Sequence, residues 1–396
     1  MYLKTFNKSV VPYASFYVFI FMAIAIFFSF INIYFYQLGF TISQIGFFSA
    51  LAPVVTIFSQ PVWGVLSDRT NKRRVLMIVI STSAVMSVVL SMGTSFLFIV
   101  VTLIIYSTFA VAILPLADAI TLQFLENANI KYSAIRVLGA VSFGITAIFA
   151  GVLLDGDISR IFWYNALFMA GTLAAVFFMS NRNGDPPKDG SDPHTKEKIK
   201  FSETLKNKVV LGVYLSSFIF GLVMSFLFGF IGIRMTEIGA NEGQIGFALF
   251  IASFSEIPLF LFMDRLFGKR RPEHLLMFSA FFMGIRLFIL YLSESIFLVY
   301  IAQGFHGVSF VVHLYFCIVL LHRHSPEHMK STVQTIHSMI RMGASALLGS
   351  LSGGFLAQHI GIQNVFLLMS VIVFSTCFIL PGVLILIHKA KRRRLL

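Results

Sequence analysis

Gln44-Ile45-Gly46-Phe47 recurs as Gln244-Ile245-Gly246-Phe247, 200 residues further along (244 − 44), and each copy opens a long apolar run. The first run ends in Asp68-Arg69, with Lys72, Arg73 and Arg74 just beyond; the second ends in Asp264-Arg265, with Lys269, Arg270 and Arg271. From Gln to Asp the interval is 24 residues in one copy and 20 in the other, a difference of about one helical turn. A chain that repeats a segment in this manner is built from two related halves.

The segments around the repeat are equally apolar. Twelve windows of about 20 apolar residues can each cross a ~30 Å hydrocarbon layer as a helix. Their limits are 11–37, 44–66, 75–93, 96–125, 134–154, 160–180, 209–235, 243–265, 274–292, 295–321, 331–358 and 363–388. The first follows Lys4 and Lys8 as a signal peptide's would, but it is too long for such a core and is expected to be a retained span. Of the 396 residues 57% are hydrophobic, 12% are charged and 46 are Phe, which excludes a water-soluble core, a disordered chain and a secreted disulfide scaffold. Cys317 and Cys377 both lie inside apolar runs, where a thiol behaves as a small hydrophobe.

The net charge of +13 reports topology. Of 30 Lys and Arg, 25 fall in the termini and alternate connections, two (Arg160 and Arg234) on the opposite side, and three inside spans. Because cationic loops stay cytoplasmic, both termini are expected on that side of the cytoplasmic membrane, and no nucleic-acid patch is implied. The longest connection, 181–208, holds Asp185-Pro186-Pro187 and a polar run that buries little. It divides the chain into residues 1–180 and 209–396, two six-helix bundles of an all-α membrane protein. Duplicated bundles of this kind place the site of a secondary transporter near the bilayer midplane.

Charges within spans cost at least ~2.5–3.5 kcal/mol each at a helix centre, so each needs a reason. Asp118, Arg136, Glu256, Arg286 and Arg341 stand out, joined by His306 and His313. Asp118 and Arg136 share a sequence midpoint at 127, in the turn Glu126-Asn127-Ala128-Asn129, so both sit about nine residues or ~13 Å from that hairpin's tip. Equal depth on neighbouring antiparallel helices permits an ion pair. The same construction pairs Arg286 with His306 about residue 296. Glu256 has no acid or base partner on its own helix and suits a proton carrier, as do His306 and His313, seven residues apart on one face. Arg341 is ambiguous, since a long side chain can snorkel to the interface. His322, His324 and His328 lack acidic or thiol companions at regular spacing, so no metal site is expected.

Gly64-x-x-x-Asp68-Arg69-x-x-Lys72-Arg73 resembles the signature loop of the major facilitator superfamily, and the six-plus-six layout extends that resemblance over the whole chain. It implies a conformational latch at Gly64, Asp68, Arg69 and Arg73, with Asp68 near the start of helix 11. Pro115-x-x-Asp118 and Arg136-x-x-Gly139-x-x-x-Phe143 resemble the helix 4 and helix 5 motifs of the lactose-permease branch, while Tyr132-x-x-x-Arg136 and Gln303-x-Phe305-His306-Gly307 look more like its phenylpropionate-transporter relatives. The resemblance carries substrate binding to Asp118, Arg136 and Phe143, and likewise to Arg286 and His306. Ser309 stands where the permease has its proton-carrying Glu, and residues 209–235 contain no carboxylate, which points away from lactose.

These observations lead to a twelve-helix transporter of a small organic solute, a sugar, nucleoside or aromatic carboxylate, working by proton symport as a monomer and without a cofactor. Export of amphipathic compounds is the first rival; a membrane-embedded sensor or enzyme is the second. No nucleophile sits beside a base, and no Gly-x-x-x-x-Gly-Lys loop is present.

Overall fold

The computed structural model describes residues 9–128, 132–154, 156–179, 204, 207–268, 270–326 and 329–376. Among these residues the secondary structure is helical, with no strand. Six helices form the first half: α1 (Val11–Gln37), α2 (Ile42–Arg69), α3 (Lys72–Leu90), α4 (Phe96–Ala128), α5 (Tyr132–Leu154) and α6 (Arg160–Phe178). The second half holds α7 (Lys208–Glu237), α8 (Glu242–Phe267), α9 (Pro272–Leu292) and α10 (Ile296–Gly304, resuming at His306–His324). After these, α11 runs from Lys330–Ser338 through a π-helical turn at Met339–Ala344 to Ser345–Ile360, and α12 is described over Ile362–Thr376. Ten of the twelve, α1 to α10, are long and apolar enough to cross a bilayer.

The repeat seen in the sequence is a repeat of local structure. Gly39 ends α1 and Gly239 ends α7, both at φ 85°, a left-handed conformation in which a side chain is strained. Two residues on, the next helix starts through a reciprocal cap. Thr41 N–H donates to Gln44 Oε1 (2.9 Å) while Gln44 N–H donates to Thr41 Oγ1 (3.2 Å). In the second copy Asn241 N–H donates to Gln244 Oε1 (3.0 Å) and Gln244 N–H to Asn241 Oδ1 (2.9 Å). The Gln of each quartet is therefore the fourth and last residue of a capping box, which satisfies two of a helix's orphan donors.

The chain packs as two compact units that trade these same segments. The N-terminal unit takes up Asn241–Phe250, and the C-terminal unit takes up Thr41–Gly46. Within the C-terminal unit a Cβ at Gly46 would lie 2.6 Å from the Ser350 carbonyl oxygen and 2.9 Å from Gly354 Cα. Within the N-terminal unit a Cβ at Gly246 would collide with the Ala147 carbonyl oxygen. The Gly of each quartet is a backbone-to-backbone contact, the small-residue packing that membrane helices use in place of hydrophobic burial.

Inside the N-terminal unit α1 packs along α5 and α6, and α3 along α4 and α6. In the C-terminal unit α7 packs along α11, and α9 along α10. Large apolar side chains that point outward, among them Phe58, Val152, Phe178 and Leu261, suit a lipid surround rather than water.

Candidate functional site

Each unit buries an ionic cluster that joins residues from three or more positions of its helices. In the N-terminal unit Pro115 interrupts the helical ladder of α4 one turn before Asp118. Two tyrosines converge on a single oxygen of that carboxylate: Tyr17 Oη from α1 and Tyr132 Oη from α5 (2.8 Å) both donate to Asp118 Oδ1. Arg136, one turn after Tyr132, lays its guanidinium over two rings of α1, 5.6 Å from the centroid of Tyr17 and 4.6 Å from that of Phe21. Its Nη1 is buried and has no hydrogen-bond partner. The direct Asp118–Arg136 ion pair expected from equal depth is absent among the described residues. Tyr17 stands in its place, its hydroxyl on the acid and its ring under the base. Phe143 is half-buried on α5, two turns along from Arg136.

In the C-terminal unit Arg286, His306 and Glu256 form a continuous line. Arg286 Nη1 lies 2.7 Å from His306 Nδ1, and His306 Nε2 lies 2.8 Å from Glu256 Oε1. Arg286 Nη2 donates to Gln303 Oε1. A guanidinium only donates, so His306 Nδ1 accepts and the imidazole hydrogen resides on Nε2, directed at the carboxylate. In this arrangement the imidazole is neutral, and one cation and one anion balance across it. Arg286 is fully buried and the His306 side chain is 3% exposed, while the Glu256 side chain is 25% exposed. The line thus has a closed end and an open end.

The partner of Glu256 comes from α10, and the backbone explains how it gets close enough. α10 pauses at Phe305, which leaves the N–H of Gly307 to donate to Ser255 Oγ (2.8 Å) instead of continuing its own ladder. A Cβ at Gly307 would strike the Ser255 carbonyl. Only the missing side chain lets α10 abut α8 at residues 255 and 256, so that neighbouring Glu256 and His306 meet.

His313 does not join this line. Its ring stacks on Phe220 with centroids 3.9 Å apart and planes at 5°, and Nδ1 lies 3.4 Å from Ser279 Oγ. Arg341 sits on the π turn with Nε buried and without a partner, so it does not simply snorkel away. Tyr17, absent from the sequence expectations, is one of 12 tyrosines with nothing in the sequence to single it out. His337, also missed, was legible as a further ionisable residue within the span 331–358.

At the α2–α3 connection, Asp68 Oδ1 and Lys72 Nζ are 3.6 Å apart on an exposed turn. Arg73 Nε donates to the Val176 carbonyl (3.0 Å), its Nη2 to the Phe177 carbonyl, and it covers the Phe177 ring. Arg73 thereby caps the end of α6, where carbonyls lack helical partners. Gly64 meets nothing within 4 Å of a would-be Cβ, and Arg69 is exposed. Of the trio His322, His324 and His328, the first two end α10 and His328 lies outside the described residues.

A family model described as the MFS_1 like family matches residues 10–368. The chain belongs to the MFS_1 like family. Among its relatives, the maltose permease of Geobacillus stearothermophilus is 27% identical over 391 residues, 98% of this chain and 96% of the permease. A probable 3-phenylpropionic acid transporter of Escherichia coli (strain K12) is 23% identical over 284 residues, 70% of this chain and 72% of the relative. The crystal structure of the nucleoside transporter NupG superimposes with a TM-score of 0.83 at 15% identity, covering 96% of this chain and 99% of that one. The protein is thus a multi-pass membrane transporter of small solutes with the major facilitator fold, two bundles of six helices.

Proposed function

We propose that the protein is a proton-coupled symporter of the cytoplasmic membrane, with both termini cytoplasmic, that carries a small organic solute rich in hydrogen-bond acceptors. The observation that carries this reading is the Glu256–His306–Arg286 line. A proton arriving at the more open end converts Glu256 to a neutral acid and leaves Arg286 without its counter-charge across the imidazole. Two protonation states with different charge balance are the bistable element that a coupled cycle needs. His313 lies apart from this line, so the coupling role falls on Glu256 with His306.

The solute engages Asp118 and Arg136, with Phe143 as a ring to stack on. The unpartnered Nη1 of Arg136 supplies a donor for a hydroxyl or carboxylate oxygen, and the second oxygen of Asp118 accepts from a hydroxyl. A maltose permease, a nucleoside transporter and a probable phenylpropionic acid transporter among the similar proteins all handle cargo of this size. The basic excess of the connections at one end of the helices supports the orientation. Asp68, Arg69 and Arg73, beside Gly64, act as the latch between conformations.

The test is uptake into proteoliposomes of maltose, uridine and 3-phenylpropionate, with and without an inward proton gradient. One of the three is expected to accumulate above its outside concentration only when the gradient is present. Accumulation that ignores the gradient refutes proton coupling. Transport of none of them refutes the solute class.

A further inference from the structure

Two turns along α10 from His306, the C-terminal unit buries a second polar cluster apart from the Glu256–His306–Arg286 line. His337 Nε2 lies 2.9 Å from Ser217 Oγ, and Ser217 Oγ donates to Cys317 Sγ at 3.4 Å, so His337 Nε2 carries a hydrogen. Ser279 Oγ donates to the Leu276 carbonyl (2.8 Å), so it accepts from His313 Nδ1. That leaves His313 Nε2, on a side chain 2% exposed, with no partner. The Arg341 guanidinium is an electrostatic neighbour of His313, His337 and Cys317, and its Nε is buried without a partner as well.

Every ionisable group of this cluster is cationic or neutral. The four ion pairs among the described residues lie elsewhere, and none involves Arg341. An arginine keeps its charge under all ordinary conditions, and a largely buried guanidinium without a counter-charge is an expensive arrangement that calls for an anion. The backbone adds its own sign. Arg341 sits inside the six-residue π turn Met339–Ala344, a departure from α geometry that is frequent where a helix carries a functional residue. Gly221 of α7 lies against that turn, where a Cβ would come within 2.9 Å of the Arg341 carbonyl oxygen.

We infer that Arg341 and His313 form a binding site for one small monovalent anion. Arg341, largely but not fully buried, meets the anion first. His313 holds it as the imidazolium, whose Nε2 then becomes a second donor, with the flat face of Phe220 against the charged ring. Ser217, Ser279, Cys317 and His337 complete the groups around it, and none of them supplies a negative charge that would compete. The anion is either the carboxylate of an organic cargo or an inorganic ion from solution. The site stands without the transport reading; only the identification of its carboxylate as cargo rests on it.

Isothermal titration of the purified full-length protein with benzoate, its neutral isostere benzamide and nitrate tests the site. Benzoate is expected to bind about tenfold more tightly near pH 6 than near pH 8, because its capture is coupled to uptake of a proton by His313, and benzamide is expected not to bind. Arg341→Gln should abolish binding, Arg341→Lys should retain part of it, and His313→Gln should remove the pH dependence. Tighter binding of benzoate than nitrate assigns the site to organic carboxylates, and equal affinity assigns it to inorganic anions; both support it. No binding of either anion, affinity unchanged in Arg341→Gln, or equal affinity at both pH values would overturn it. Lost solute uptake alongside intact benzoate binding counts against the transport reading and leaves the site standing.

Discussion

In the N-terminal unit an acid and an arginine 18 residues apart (118 to 136) are kept out of contact, each engaged by Tyr17. In the C-terminal unit a carboxylate and an arginine 30 residues apart (256 to 286) are joined through one imidazole. The first arrangement leaves hydrogen-bonding capacity unspent: a buried guanidinium nitrogen has no partner. The second also leaves Arg286 Nε buried without a partner, but its guanidinium, imidazole and carboxylate bond one another in one continuous line that is partly exposed at Glu256. An acid and a base held apart suit a ligand that can bond both, whereas a continuous line from base to acid suits a particle as small as a proton. This difference in how acid and base are connected supports the proposed division between a solute cluster and a proton cluster.

The hardest test of that division is Glu256→Gln. It is expected to abolish gradient-driven accumulation while solute exchange across equilibrated proteoliposomes continues; loss of exchange as well would erase the distinction between the clusters. Arg136→Gln should weaken solute binding by roughly 10- to 100-fold, the worth of one charge-assisted hydrogen bond, and leave folding intact. Arg136→Lys should not restore affinity, because a point charge cannot reproduce the flat guanidinium over Tyr17 and Phe21. Gly307→Ala is expected to cost about 1–3 kcal/mol in thermal stability through overpacking against Ser255 and to uncouple transport, since α10 must withdraw from Glu256. Tyr132→Phe should raise the apparent KM a few-fold at most, because Tyr17 still holds the same carboxylate oxygen.

The smallest effect is expected outside both clusters. Asp157, in the α5–α6 connection, accepts from Ser159 Oγ (2.6 Å) and Ser159 N–H (2.9 Å), and the Ser159 hydroxyl holds its carboxyl below the usual range. A depressed carboxyl stabilises the fold above its unfolded pKa, and that contribution fades as pH falls through the folded value. At an exposed site it is small, so Asp157→Ala should leave uptake unchanged and slightly flatten the acid limb of a melting-temperature profile.

Much of the architecture was legible because it is local. Apolar run length gives the spans, and the Gln-Ile-Gly-Phe quartet marks a cap and a close contact in both halves. Depth along a hairpin was legible too, but depth alone does not set which way a side chain faces. It led to contact for Arg286 and His306, since α9 and α10 pack side by side. It failed for Asp118 and Arg136, since α5 lies chiefly along α1, which inserts Tyr17 between acid and base. The partner of Glu256 was hidden for a related reason. It depends on a pause in α10 and an absent side chain at Gly307, and neither shows in hydropathy.

The reciprocal caps at Thr41/Gln44 and Asn241/Gln244 need only four consecutive residues each. Their bonds involve no residue outside the turn, so they can close whether or not a neighbouring span is in place. The starting point of α2 and of α8 is therefore set locally, and Gly46 and Gly246, two places beyond each Gln, are indexed by the cap and not by the helices they touch, α11 and α5.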